Sequence, residues 1–120
     1  MSQQLKDRTK QFAKSCIGLL RSTKSNDKLF WHVERQLLRC STSVAANYRA
    51  ANLAQSKAAF VAKLSIVVEE ADECIFRLEL LLEEGVISEF QAKPIIKESK
   101  QLTAIFVAAR KTAANQSANQ

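Results

Sequence analysis

A heptad pattern in residues 57–84 constrains the fold of this chain more than any other feature. Its apolar positions alternate spacings of four and three, at Phe60, Leu64, Val67, Ala71, Cys74, Leu78 and Leu81. A second apolar row recurs every seven residues, at Val61, Val68, Ile75 and Leu82. The two rows cover about three-sevenths of a helix surface, the width typical of a helix at the centre of a bundle. The pattern therefore predicts a long third helix inside a helical bundle.

Three other segments show apolar residues at helical spacing. We expect a basic amphipathic first helix over residues 5–23, a second over 28–51 and a fourth over 94–111. Asn26 or Asp27 supplies a cap for the second helix, Ser56 caps the third, and Gly85 ends it in the left-handed conformation. SEFQ from Ser88 has the form of a capping box. Pro94, however, favours the first position of a helix, so residues 86–92 are interpreted as a connection.

The composition agrees with an all-α protein. The chain has 120 residues with only two glycines and one proline. Short connections make consecutive helices antiparallel neighbours. We therefore predict one domain, an antiparallel up-down-up-down four-helix bundle over residues 1–112, followed by a flexible polar tail over 113–120.

The charges are segregated along the chain. Residues 1–57 carry 11 basic and 3 acidic side chains, residues 58–90 carry 2 and 8, and residues 91–120 carry 5 and 1. Such segregation is typical of two arrangements: basic and acidic helices that pair with each other, or a basic surface that attracts nucleic acid.

The second helix shows three different faces. One is a core stripe, and a second band, Trp31, Leu38 and Ala45 at intervals of seven, predicts contact with another subunit. Trp31 alone has another interpretation, in which it lies over a loop. The third face is basic, and with the residues leading into it yields the candidate nucleic-acid-binding set Arg21, Lys24, Lys28, Arg35, Arg39 and Arg49. The alternative use of these arginines is ion pairing with the acidic third helix, within or between subunits.

No group of residues predicts catalysis. The sequence has no glycine-rich phosphate loop and only one histidine, His32, and the acids of the third helix lie off its apolar seam. Asn47, the polar residue of the second helix, is interpreted as structural, hydrogen-bonded within a subunit or across an interface. We expect no metal, no cofactor and no enzymatic activity.

The cysteine pattern and the hydropathy predict the cellular compartment of the protein. Cys16, Cys40 and Cys74 fall singly on the apolar stripes of three helices, which predicts buried, unreactive thiols. The N-terminus lacks a secretory pattern, and no apolar run is long enough to span a bilayer. These features predict a cytoplasmic protein with no membrane partner.

The string QLLRCSTSVAANYRAA from Gln36, followed by SKAAFVAKLSIVVEEADECIFRLELLLEEG from Ser56, resembles the 23S rRNA intervening-sequence protein family. The resemblance covers residues 12–110, although Tyr48, Arg49 and Ala50 stand where many members have Ala-Glu-Gly. It implies a four-helix bundle that assembles as a homopentamer. It also relates the chain to the accessory proteins of diversity-generating retroelements, which implies RNA or DNA and a reverse transcriptase as partners.

Overall fold

Four antiparallel α-helices form the protein in a computed structural model that describes residues 2–118, with side chains for residues 3–116. They are α1 (Ser2–Ser22), α2 (Lys28–Ala51), α3 (Lys57–Glu83) and α4 (Glu89–Ala118). The helices alternate in direction, and each packs against its two neighbours around a square. The molecule measures 54 × 23 × 20 Å along its principal axes. The predicted all-α, up-down-up-down four-helix bundle is confirmed.

The predicted caps of the middle helices are confirmed by their hydrogen bonds. Asp27 accepts a hydrogen bond from the backbone N–H of Leu29 at 2.9 Å, and Ser56 accepts one from Ala59 at 3.1 Å. These bonds satisfy N–H groups that have no partner within the first turn of a helix. Gly85 has a φ of +75°, the left-handed conformation that ends α3.

The inner seam of α3, Leu64 to Leu81, is the centre of the core. All six of its members from Leu64 onward are fully buried. Across the core, the rings of Tyr48 on α2 and Phe106 on α4 lie 5.1 Å apart. Ser99 is also fully buried, and its hydroxyl donates to the carbonyl of Ala71 at 2.9 Å, so the polar atom has a partner.

The predicted start of the fourth helix is wrong. α4 begins at Glu89, and Ser88 closes the capping box: its Oγ accepts from the N–H of Gln91 at 3.2 Å, and Gln91 Oε1 accepts from the N–H of Ser88 at 3.1 Å. Pro94 therefore lies inside the helix. It removes one backbone hydrogen bond, and the capping box and the buried Ala92 and Ile96 outweigh that cost.

The predicted end of the fourth helix is also wrong. α4 continues past residue 111 to Ala118, and Ala113 is buried, because the N-terminal part of α3 extends alongside it. Lys57 Nζ, at the start of α3, donates to Gln116 Oε1 at 2.9 Å. Residues 113–118 of the predicted tail are thus helical, and its last two residues lie outside the described part of the chain. Within that part, no helix is long and apolar enough to cross a membrane.

Candidate nucleic-acid interface

One end of the bundle collects three segments that are far apart in sequence. Because the helices alternate in direction, the start of α1, the α2–α3 connection and the end of α4 meet at the same end. The Lys57–Gln116 hydrogen bond joins the start of α3 to the end of α4 there. We call this region, residues 2–10, 49–63 and 104–118, the basic end. Its inner border on α1 is level with Glu98 of α4, which Arg8 binds.

The basic end carries eight basic side chains and a single acid, Asp7. Its cations are Lys6, Arg8, Lys10, Arg49, Lys57, Lys63, Arg110 and Lys111. The other residues of the chain carry ten basic and eleven acidic side chains, so they nearly neutralise each other. The net charge of +6 is therefore concentrated at one end of the bundle.

Most cations of the basic end are available to a ligand. Arg8 is the exception, since its guanidinium donates two 2.8 Å hydrogen bonds to the carboxylate of Glu98. This bonding raises the pKa of Arg8. The other seven have no ion pair among the side chains of residues 3–116. Lys10, Arg49, Lys57 and Lys111 are exposed, and Lys6, Lys63 and Arg110 are half-buried.

Among the cations predicted from the sequence, Arg39 is already paired. Its two terminal nitrogens lie 3.1 Å from Glu70 and 2.6 Å from Glu73 on α3. Hydrogen bonds to Glu73 and Glu70 raise the pKa of Arg39. Arg39 thus follows the alternative interpretation, in which the basic helix is used in ion pairs with the acidic one.

The structure does not bring the other five predicted cations together. Arg49 lies at the basic end, whereas Arg21, Lys24 and Lys28 lie at the opposite end, with Arg35 on α2 between them. All five are exposed and have no ion pair among residues 3–116. The end that holds the α1–α2 connection also holds the α3–α4 connection with its acids, so its net charge is small.

Sequence reasoning missed the unpaired lysines and arginines of the basic end outside α2. They are Lys6, Lys10, Lys57, Lys63, Arg110 and Lys111. The sequence could have indicated this cluster. In an up-down bundle, charges are best counted by their height along the bundle axis, and that count places these residues together.

The predicted subunit-contact band is partly exposed. Trp31 is 52% exposed, Leu38 is 44% exposed and Ala45 is half-buried. The indole Nε1 of Trp31 donates to the carbonyl of Ser25 at 3.2 Å, so Trp31 also contacts the α1–α2 connection. Leu38, with Ile17 and Leu20 of α1, lines a shallow apolar groove. The band stays a prediction.

Asn47 has partners within its own helix. Its Nδ2 donates to the carbonyl of Ser43 at 3.0 Å and to the Ser43 hydroxyl at 2.8 Å. These contacts agree with the structural role expected of this side chain.

The three cysteines come from different helices and lie close together in the core. All three are fully buried, and the Sγ atoms of Cys40 and Cys74 are 3.2 Å apart. Burial raises the pKa of Cys16 to about 12. The pKa of Cys74 is raised mainly by its hydrogen bond to Cys40 and, second, by burial. Thiols that stay protonated and inaccessible are poor nucleophiles.

The described part of the chain holds no group of side chains arranged like a metal site, around its histidine or elsewhere. His32 is exposed, and no group of three or more His, Cys, Asp or Glu side chains among the described residues is placed to hold a metal ion.

Comparison with known proteins agrees with this architecture. A solved structure of a protein of unknown function from the S23 ribosomal protein family of Bacteroides thetaiotaomicron superimposes with a TM-score of 0.82 at 32% sequence identity. The alignment covers 92% of this chain and 99% of that one. The search of curated proteins found no match. The profile of the 23S rRNA-intervening sequence proteins matches residues 2–108. With nearly the whole bundle matched, the chain belongs to the family of 23S rRNA-intervening sequence proteins.

Proposed function

We propose that this protein is a non-enzymatic, oligomeric accessory module that binds the phosphate backbone of RNA or DNA through its basic end. The observation that carries the proposal is the location of the net charge. Seven unpaired cations and one acid lie at one end, while the rest of the molecule is close to neutral. A polyanion is the ligand that such a distribution attracts.

The mode of binding follows from the residue types. Most of the available cations are lysines, which act as mobile point charges rather than as bidentate readers of base edges. Contacts of this kind fix a nucleic acid by its phosphates and carry little sequence information. We therefore expect strong salt dependence and weak sequence preference.

Oligomerisation strengthens this mode of binding. In a ring whose axis is parallel to the helices, every subunit presents its basic end on the same face. The homopentamer implied by the family resemblance would then display five such ends around one opening. Several weak phosphate contacts on one polymer raise the overall affinity through effective concentration. A reverse transcriptase as protein partner belongs to the same proposal.

The test compares two charge reversals of equal size. Lys10→Glu with Lys111→Glu alters two exposed cations of the basic end, and Lys14→Glu with Lys97→Glu alters two exposed, unpaired cations outside it. Binding of labelled single-stranded and double-stranded RNA and DNA is measured by fluorescence anisotropy between 50 and 200 mM salt, a range that separates phosphate contacts by their salt slope. We expect the first variant to lower affinity at least about tenfold and to reduce the slope by roughly two.

Two results would contradict the proposal. One is the absence of binding by the unaltered protein at the lowest salt. The other is an equal loss of affinity in both variants, which would indicate a diffuse charge effect rather than a site. A third variant, Arg21→Glu with Lys24→Glu, tests the opposite end of the bundle in the same assay.

The second candidate function is a structural or protein-interaction oligomer, and the contacts of Arg39 favour it. Since Arg39 is used by Glu70 and Glu73, part of the basic face of α2 serves structure rather than ligand binding. A pull-down from source cells with and without nuclease separates the two functions, because nuclease removes only partners that nucleic acid holds.

A further inference from the structure

α2 carries a regular outward-facing row in addition to its core stripe. Its members are Trp31, Arg35, Leu38, Thr42, Ala45 and Arg49, at spacings of four, three, four, three and four. All are exposed except Ala45, which is half-buried. We call this the α2 outer row. It has the heptad spacing of a helix that packs against another helix, yet its own subunit leaves it largely exposed, with only Leu38 bordering α1 in the groove lined by Ile17 and Leu20.

α3 carries a matching row on the side away from its core seam. Its members are Ala62, Ile66, Glu69, Glu73, Phe76, Leu80 and Glu83, at spacings of four and three throughout. Phe76 is 54% exposed, and Ile66 is also exposed. Glu73 and Leu80 are half-buried, and Glu73 is bound by Arg39 of its own subunit. We call this the α3 outer row. Large apolar side chains left in water at heptad spacing indicate a surface that another helix covers.

The two rows have opposite charges. Arg35 and Arg49 of the α2 outer row, like Glu69 and Glu83 of the α3 outer row, have no ion pair among the side chains of residues 3–116. Each pair is separated by 14 residues, or about 21 Å along a helix. The spacing of the unpaired cations therefore equals that of the unpaired anions.

We propose that the α2 outer row of one copy of this chain packs against the α3 outer row of a second copy, with the two helices antiparallel. Reversing one row aligns its spacings with those of the other. The facing pairs are then Arg35 with Glu83, Leu38 with Leu80, Thr42 with Phe76, Ala45 with Glu73, and Arg49 with Glu69. If the two helices were parallel with the same charges facing, each three-residue step of one row would face a four-residue step of the other, and the residues between the charges would not align. The opposite charges at both ends of this register specify partner and orientation, and Leu38, Leu80 and Phe76 supply its apolar contacts.

This contact joins different faces of the two copies and is therefore heterologous. An open chain of subunits keeps one free α2 outer row at one end and one free α3 outer row at the other, and joining these two rows closes the chain into a ring. Rotation about an axis parallel to the bundle preserves helix direction. Since α2 and α3 are antiparallel within a subunit, they are also antiparallel between subunits of such a ring. The register and the symmetry thus require the same orientation.

The inference rests on the oligomeric part of the proposed function and names the surfaces that form the assembly. It also divides the roles of the arginines. Arg35 and Arg49 serve assembly, so Arg49 leaves the set of seven unpaired cations at the basic end, and the other six serve the ligand. The experiment below therefore alters no lysine of the basic end.

Charge exchange tests the contact. Arg35→Glu with Arg49→Glu, and separately Glu69→Arg with Glu83→Arg, place like charges against each other. We expect each variant to fall from the oligomer toward the 13.4 kDa protomer mass by light scattering at micromolar concentration. All four substitutions together restore the opposite charges and the oligomer. Lys14→Glu with Lys97→Glu, which changes net charge as much as the first variant, keeps the oligomer. Circular dichroism confirms that each variant is helical.

Each other outcome overturns the inference. If the unaltered protein is monomeric, the proposed subunit contact does not exist. The nucleic-acid assay with Lys10→Glu and Lys111→Glu still tests the proposed ligand independently. Two α2 outer rows in contact would make Arg35→Glu with Arg49→Glu neutral or stabilising and leave Glu69→Arg with Glu83→Arg without effect. Dissociation of the four-substitution variant would show that the charges do not face each other.

Discussion

The inner seam and the outer row of α3 share one spacing and occupy opposite environments. The inner seam is apolar throughout and fully buried, whereas the outer row mixes apolar residues with glutamates and is exposed or half-buried. Heptad spacing alone therefore shows that a helix has a packing face, and composition shows what that face packs against. A wholly apolar seam is buried within the subunit. A row that mixes exposed apolar residues with glutamates is instead the face assigned to contact with a second copy in our proposal.

The largest expected difference between the two rows is in subunit stability. Leu78→Ala removes a fully buried side chain from the inner seam and should lower the free energy of unfolding by about 2–5 kcal/mol. Phe76→Ala in the outer row should lower it by less than about 1 kcal/mol, because that side chain is largely in water. Urea denaturation of both in the Glu69→Arg, Glu83→Arg background compares them without assembly effects. Equal losses would show that the outer row is part of the core.

The buried thiols of the core allow the buried and exposed sides of the helices to be compared through the pH dependence of stability. Cys16 keeps its proton in the folded state up to a pKa of about 12, whereas its ordinary value is 9.0. The stability that this protonation contributes is complete below pH 9 and is lost as pH rises toward 12, because the unfolded chain releases the proton first. The free energy of unfolding should fall by on the order of 1 kcal/mol per pH unit in that range.

Cys16→Ala should reduce that slope relative to the unaltered protein. Thiol titration with an aromatic disulfide reagent provides a direct check. The three native cysteines should react only on unfolding, while a fourth placed in the outer row by Phe76→Cys should react at once in the Glu69→Arg, Glu83→Arg background, in which the proposed subunit contact is broken. Rapid reaction of a native thiol in the folded protein would contradict the burial argument.

The smallest effect is expected for the ion pairs of Arg39. Its side chain is 50% exposed, so solvent screens its attraction to Glu70 and Glu73. Arg39→Gln should lower the free energy of unfolding by about 0–1 kcal/mol in the same urea assay. A loss above this range would show that the two glutamates form a coupled network with Arg39, and 0.5 M salt should then reduce it.

Local chemistry made much of the fold predictable. The α2 bounds, the Asp27 and Ser56 caps, and the Gly85 stop all depend on interactions within a few residues, so the sequence indicates them directly. The start of α4 was harder, because two local signals disagree there. The Ser88 capping box favours a helix that Pro94 disfavours, and packing of Ala92 and Ile96 decides between them.

The candidate sites were less predictable because they combine distant segments. From the sequence, the arginines of α2 formed one basic face. In the structure, Arg39 forms ion pairs with Glu70 and Glu73, and the unpaired cations are concentrated where α1 begins and α4 ends. Likewise, the sequence showed the band of Trp31, Leu38 and Ala45 but not the α3 outer row, since exposure of Ile66 and Phe76 depends on which side of α3 the other helices cover.

By itself, the sequence determined that this protein is a four-helix bundle, where most of its helices begin and end, and which residues form its core. Helix period, capping and turn residues act over short distances and are written in consecutive positions. Only the tertiary structure decided that the net charge lies at one end, that three thiols share the core, and that Ile66 and Phe76 of α3 remain exposed. Each of these depends on which helices are neighbours and in which direction they run.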